Sequence, residues 1–182
     1  MPRLARALSV LTSLAVIGAW GGTTAPAHAQ AGLEYSVKAQ YLVRFAAFVE
    51  WPPQAFVGPA APVSICVVGR DPFGAALPRA AASQSAHGRP LTVATRTRAQ
   101  GVGGCHIVYV GAGGEPALAG APVQPTLWVT DAAVGSRRGV IHFELDQNRV
   151  RFHVNQGAAN AQRLTISSRL LNLASSVRGA RS

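Results

Sequence analysis

Few residues in this chain have the type and spacing to do chemistry. His142 and His153 make the most pointed pair: in a hairpin turning at Gln147-Asn148 they fall directly opposite each other on the outward face. Cross-strand histidines can give zinc or copper two ligands, but a tight site wants a third or fourth. His106, next to Cys105, could add one only if the fold brings it near. With an incomplete ligand set the expectation is two solvated surface histidines and no metal. Asp131 could be joined to either histidine and a serine, yet no G-x-S-x-G elbow occurs and no spacing fixes a triad. The seven acidic residues offer no catalytic pair, since Glu144 and Asp146 face Arg151 and Arg149 across the same hairpin. Gly101-Val102-Gly103-Gly104 and Gly111-Ala112-Gly113-Gly114 fit neither phosphate-loop pattern and precede no strong helix, so they read as turns. The chain reads as a non-enzyme with no cofactor.

The elements that must position these residues are clearer. Leu33 to Glu50 has helical period, with Val37, Tyr41, Phe45 and Phe48 on one stripe and Glu34 and Lys38 four apart in the favourable order. Trp51-Pro52-Pro53 ends it. The aromatic stripe with Trp51 is expected in the core, with some of it left exposed as a partner surface. Val63 to Val68, Leu91 to Ala94, Cys105 to Val110 and Thr126 to Thr130 read as buried strands. Asp71 is expected to cap a short helix with Pro72 at its first position and Phe73 inward. Val140 to Asn155 alternates strictly, and one register pairs Ile141 with Val154, Phe143 with Phe152 and Leu145 with Val150 while setting the charges opposite. Ser167 or Ser168 caps a last helix from Arg169 to about Arg178, with Leu170, Leu171 and Leu173 inward. Together these predict a single α/β domain: a three-layer-like arrangement with a mostly parallel central sheet, an antiparallel C-terminal hairpin and flanking helices.

The first 29 residues fix the expected compartment. Arg3 and Arg6 precede an uncharged apolar run from Ala7 to Trp20, and Pro26 precedes the A-x-A signal Ala27-His28-Ala29. This is the layout of a cleavable secretory signal peptide. The 14-residue run is short of the roughly 20 residues a membrane span needs. Residues 30–182 would form the mature domain, with the net charge falling from +10 to +8 once Arg3 and Arg6 are gone. Export removes nucleic acid from the candidate partners, and the arginines are scattered. Cys66 and Cys105, an even pair in an oxidising compartment, read as one structural disulfide.

Several of these segments resemble the YfiR-like periplasmic proteins. The likeness runs through Tyr35-Ser36-Val37-Lys38-Ala39-Gln40-Tyr41, Phe45, Phe48 and Trp51-Pro52, then Ile65-Cys66-Val67-Val68-Gly69 with Asp71-Pro72-Phe73-Gly74. It continues through Cys105-His106-Ile107-Val108-Tyr109, Arg149 to Asn155, and Leu164 to Ala174. The resemblance implies a periplasmic repressor that binds the outer domain of an inner-membrane diguanylate cyclase, with cyclic di-GMP and biofilm formation rising on release. It also implies the Cys66–Cys105 bond and a homodimer. A binder of this kind needs a docking patch, expected to combine exposed residues near Phe48 and Trp51 with a basic C-terminal helix carrying Arg169 and Arg178. The competing expectation is a periplasmic small-ligand sensor working with a membrane receptor or kinase, its ligand held by arginines at the ends of the parallel strands.

Overall fold

The computed structural model describes residues 27–96, 101–119, 124–135 and 139–179; the apolar run Ala7 to Trp20 lies outside them. Helix α1 (Ala27–Phe48) passes directly into strand β1 (Val49–Glu50). Then follow β2 (Val63–Val68), α2 (Ala76–Ala82), β3 (Ser85–Ala86), β4 (Arg89–Arg96), β5 (Ile107–Val110), α3 (Pro116–Ala119) and β6 (Leu127–Thr130). The chain closes with β7 (Ile141–Asp146), β8 (Arg149–Asn155), α4 (Gln156–Ala161), β9 (Thr165–Ile166), α5 (Ser168–Leu173) and β10 (Ser176–Arg178).

Among the described residues, eight strands form one sheet in the order β10-β8-β7-β6-β5-β2-β4-β3, and β1 and β9 form a separate antiparallel ribbon. The run β4-β2-β5-β6-β7 is parallel throughout, while β7–β8 and β3–β4 are antiparallel. The α/β class and single domain expected from the sequence are what the chain adopts. The hairpin register matches residue for residue, from Ile141 opposite Val154 to Asp146 opposite Arg149. Its turn residues, Gln147 (φ 46°) and Asn148 (φ 60°), take the left-handed geometry that a two-residue turn demands.

One face of the sheet is covered by α1, α2 and α5. Leu42, Phe45, Ala46 and Val49 are fully enclosed there against Ile107, Leu127, Phe143 and Phe152. Phe45 stacks 5.7 Å from Phe143 and meets Phe152 edge-on at 5.3 Å. The other face carries a smaller cluster in which the Cys66–Cys105 disulfide packs with Val108, Val110, Trp128 and Val134.

Four sequence expectations change. Helix α1 starts before Leu33, and its buried face is centred on Leu42, Phe45 and Ala46, leaving Val37 at the surface. Asp71 makes a tight turn by accepting from Phe73 N–H at 2.8 Å, so α2 begins at Ala76 and not at Pro72, although Phe73 is buried as anticipated. Ser167 does cap α5, but that helix stops at Leu173, whose side chain is 65% exposed. Arg178 therefore sits on β10, a strand parallel to β8, and not on a helix.

The strand order reverses between β2 and β5, where open α/β sheets usually leave a crevice at the carboxyl ends. Here main chain closes it. Gly111 N–H donates to Val68 O at 2.8 Å and Arg70 N–H to Ala112 O at 2.9 Å. A Cβ on Gly111 would lie 2.1 Å from Arg70 O, so only glycine allows the approach.

Beside it, the ends of β5 and β6 are filled by a buried charged knot. Lys38, 3% exposed, reaches Asp131 at 2.8 Å and Glu34 at 2.5 Å, with its Nζ 4.5 Å from the Tyr35 ring centre. Asp131 also accepts from Tyr109 Oη at 2.5 Å and from Ala133 N–H at 2.9 Å. Burial opposes both charges. For Lys38 the bonds to Asp131 and Glu34 outweigh that cost and raise its pKa above 10.5; for Asp131 the Lys38 and Tyr109 bonds outweigh it and lower its pKa below 3.8. Burial, and then the Asp131 carboxylate, push the Tyr109 hydroxyl upward.

Two outcomes follow from this packing. Asp131→Ala should cost about 3 kcal/mol in urea unfolding, because it leaves the buried Lys38 ammonium with Glu34 alone and removes the acceptor of the buried Tyr109 hydroxyl, whereas Lys38→Met with Asp131→Leu should regain most of that loss. The Asp131 contribution is complete above pH 3.8 and is lost as pH falls through its lower folded value. The Lys38 contribution is complete below pH 10.5 and is lost as pH rises through its higher folded value, so this pair by itself adds no slope to thermal unfolding between these limits. The disulfide closes a span of 39 positions with Cα atoms 5.9 Å apart. Replacing Cys66 and Cys105 by alanine should therefore cost up to about 4 kcal/mol by calorimetry.

Candidate functional site

At the opposite end of α1 the chain builds a groove. Val49 pairs with Ile166 and Glu50 with Thr165 in the β1–β9 ribbon, and Ser167 N–H donates to Phe48 O at 2.9 Å. This ribbon carries Trp51 inward and Glu50 outward. Glu50, Trp51, Pro53, Phe56, His87 and Arg89 line a concavity of about 370 Å³. His87 and Gly88 form the turn between β3 and β4 with φ of 53° and 73°, and His87 Nε2–H donates to Val49 O at 3.0 Å.

The floor is a stack. Arg89 lies 3.9 Å over the Phe56 ring, and Phe56 stacks 4.4 Å from His106. Arg89 Nη1 also donates to Gly58 O and Ala61 O at 2.9 and 2.7 Å, which fixes the guanidinium against the loop. His106 accepts from Ser64 N–H at Nδ1 (3.1 Å) and donates from Nε2 to Ala55 O (3.1 Å), the pattern of a neutral imidazole. Burial lowers its pKa below 6.5, and the nearby Arg89 charge adds to that, while the Ala55 bond opposes both. Trp51 is 8% exposed and its Nε1 donates to His106 O at 3.2 Å. The chemistry on offer is aromatic stacking, an exposed carboxylate at Glu50 and a held guanidinium, which suits binding.

The residues expected to form a docking patch are only partly brought together. Phe48 is half-buried and its carbonyl accepts from Ser167 N–H, the cap of α5, so it and the exposed Arg169 share one end of the molecule. Trp51 turns into the core, as expected of the aromatic stripe, with its ring edge-on to His106, so it adds no exposed indole to the patch. Arg178 is exposed but belongs to the sheet edge. His142 and His153 do face each other across the hairpin. His142 is not a solvated surface residue, however; it is 7% exposed and bonds Thr130 Oγ1 at 2.9 Å. His153 lies between Ser176 Oγ (2.7 Å) and Glu144 (2.5 Å). His106 is engaged under the groove, and among the described residues no three His, Cys, Asp or Glu side chains converge to hold a metal.

Sequence reasoning missed His87, Arg89 and Phe56. They come from two separate segments, the β3–β4 turn and the loop after β1, and only His87-Gly88, a left-handed dipeptide at a turn, left a local signal.

A family model described as YfiR/HmsC-like matches residues 35–175, a span that takes in Lys38, Tyr109 and Asp131 of the knot, both cysteines and the groove. No curated protein matches the chain.

Because burial depresses the His106 pKa, its contribution to stability is complete above pH 6.5 and is lost as pH falls through the lower folded value. Thermal unfolding should show that acid slope in the wild type and lose it in His106→Gln; an identical slope in both would place the titration elsewhere.

Proposed function

The chain belongs to the YfiR/HmsC-like family, and on that footing we propose that it is a periplasmic regulator holding down a membrane-bound diguanylate cyclase by binding its periplasmic domain. The observation that carries this reading is the family match across residues 35–175. The paired cysteines agree with an oxidising compartment. The architecture suits a binder: a rigid, disulfide-closed sheet whose strand ends are packed with protein, presenting Phe48 and Arg169 at one end. On this reading residues 1–29 direct export, and release of the hold raises cyclic di-GMP in the cytoplasm. The active unit is a homodimer.

The groove favours a second, compatible reading in which a small molecule controls occupancy of the partner. The Arg89 guanidinium, seated on Phe56, provides a planar cation for an aromatic ring or an anionic group, and Glu50 a carboxylate for a cationic substituent. The strand ends, where such a ligand was first expected, are closed by the glycine loops and the knot.

In the source organism, deleting the gene should raise cyclic di-GMP and surface attachment, and the wild-type gene should restore both. Arg169→Glu should fail to restore them while accumulating to the wild-type level, since that side chain is exposed and away from the core. Unchanged cyclic di-GMP after deletion would overturn the reading.

A further inference from the structure

Among the described residues six large aliphatic side chains stand exposed, and five of them lie along one side of the molecule. Leu33 and Val37 line a concavity of about 280 Å³ with Leu145 and Val150 of the hairpin, where α1 passes over β8. Tyr41, one turn further along the same flank of α1, lies 5.5 Å from Phe152. Val177 is opposite Val154 in register, so its side chain shares the α1 face of the sheet, and Leu173 ends α5 just before it. The sixth, Val57, belongs to the loop before β2.

An arginine accompanies each part of this stripe. Arg44 falls two turns after Val37 on the same flank of α1, and Arg149 lines the concavity. Arg169 precedes Leu173 by one turn of α5, and Arg178 follows Val177 on β10. All four are exposed. The acids beside them already face cations: Glu34 bonds Lys38, and Asp146 is opposite Arg149 across the hairpin. The stripe is therefore apolar along its length and positive along its fringe.

We infer that this side of the molecule is a peripheral membrane-binding surface that rests on anionic phospholipid. The aliphatic tips enter the boundary between headgroups and acyl chains, and the guanidinium groups meet the lipid phosphates. Arginine suits that role, because its planar fork bonds two phosphate oxygens at once. A protein partner fits the surface less well. Interfaces between proteins anchor on aromatic side chains seated in pockets, whereas these tips are all aliphatic and spread over about 20 Å of helix and strand. The net charge of +10 draws the whole chain toward the same anionic surface. Which membrane is met rests on the periplasmic reading; the surface itself and its test need neither export nor the cyclase.

The mature protein should float with vesicles of phosphatidylglycerol and phosphatidylethanolamine in a density gradient, and stay behind with vesicles of phosphatidylcholine alone. Added salt should weaken this binding without abolishing it, since the apolar contact is not screened. Leu33→Glu and Leu173→Glu should each lower the affinity by about tenfold or more, and Arg44→Gln by about fivefold. Val57→Glu makes the same change of charge away from the stripe and should bind as the wild type does. All four side chains are exposed, so the melting temperatures should not move. Absence of flotation at every lipid composition, or equal flotation with neutral and anionic vesicles, would overturn the inference. A loss in Leu33→Glu and Leu173→Glu no greater than in Val57→Glu would also overturn it, as adsorption of a cationic chain without a defined surface. So would a protein interface in its place: no vesicle binding, with self-association or capture of the cyclase's periplasmic domain lost in the same two variants. Vesicle binding with unchanged cyclic di-GMP after gene deletion refutes the regulator reading alone; repression in cells without vesicle binding refutes the membrane surface alone.

Discussion

The ion pair between Lys38 and Asp131 sets the geometry on which the other features depend. It ties the first helix to the carboxyl end of β6 at 2.8 Å, and Tyr109 ties the same carboxylate to β5. With that end anchored, α1 must cross the sheet toward the strand amino ends, where it delivers Phe48, Val49 and Trp51 to the β1–β9 ribbon. Buried ion pairs add little net stability over a well-packed apolar contact, because desolvation offsets the attraction. What this pair supplies is direction: an apolar helix could slide on an apolar sheet, but Lys38 has satisfied partners in one register only. Lysine suits the place, since a compact ammonium can serve two carboxylates and the Tyr35 face at once.

That direction has a further effect on where a ligand could sit. Open α/β sheets bind ligands beyond the carboxyl ends of their strands. In this chain those ends are occupied by the Gly69, Gly111 and Gly114 contacts and by the charged knot. The groove lies instead at the amino ends, next to His106 before β5 and Arg89 at the start of β4. The groove residues and the glycines that close the carboxyl ends all fall within residues 35–175, the span of the YfiR/HmsC-like match.

How legible each part was in the sequence depended on whether two independent signals agreed. The hairpin was readable residue by residue because apolar alternation and charge pairing demand one register. The pairing of Lys38 with Glu34 was legible from their i,i+4 spacing and forms, but its burial was not drawn from the sequence, although Lys38 shares helical phase with Leu42, Phe45 and Val49, all enclosed. The last helix was drawn too long because Leu170, Leu171 and Leu173 look like one apolar face, while β10 is too short to show a period. Two-residue strands such as β1 and β9 have no sequence signature at all, since each exists only through the other. The groove was invisible for the same reason: its walls meet by tertiary contact.

The contacts of α1 also govern the order in which the structure can close. Lys38 precedes Asp131 by 93 positions, and Val49 waits for Ile166 near the end of the chain. The helix is therefore synthesised long before any surface exists to receive its apolar face and its lysine. Pairings of this range make folding slow, and they favour closure of the whole domain at once over growth from the first residues. Until the final segment arrives, the most aromatic helix of the molecule has no shelter, which makes that interval the natural point for a chaperone to hold the chain.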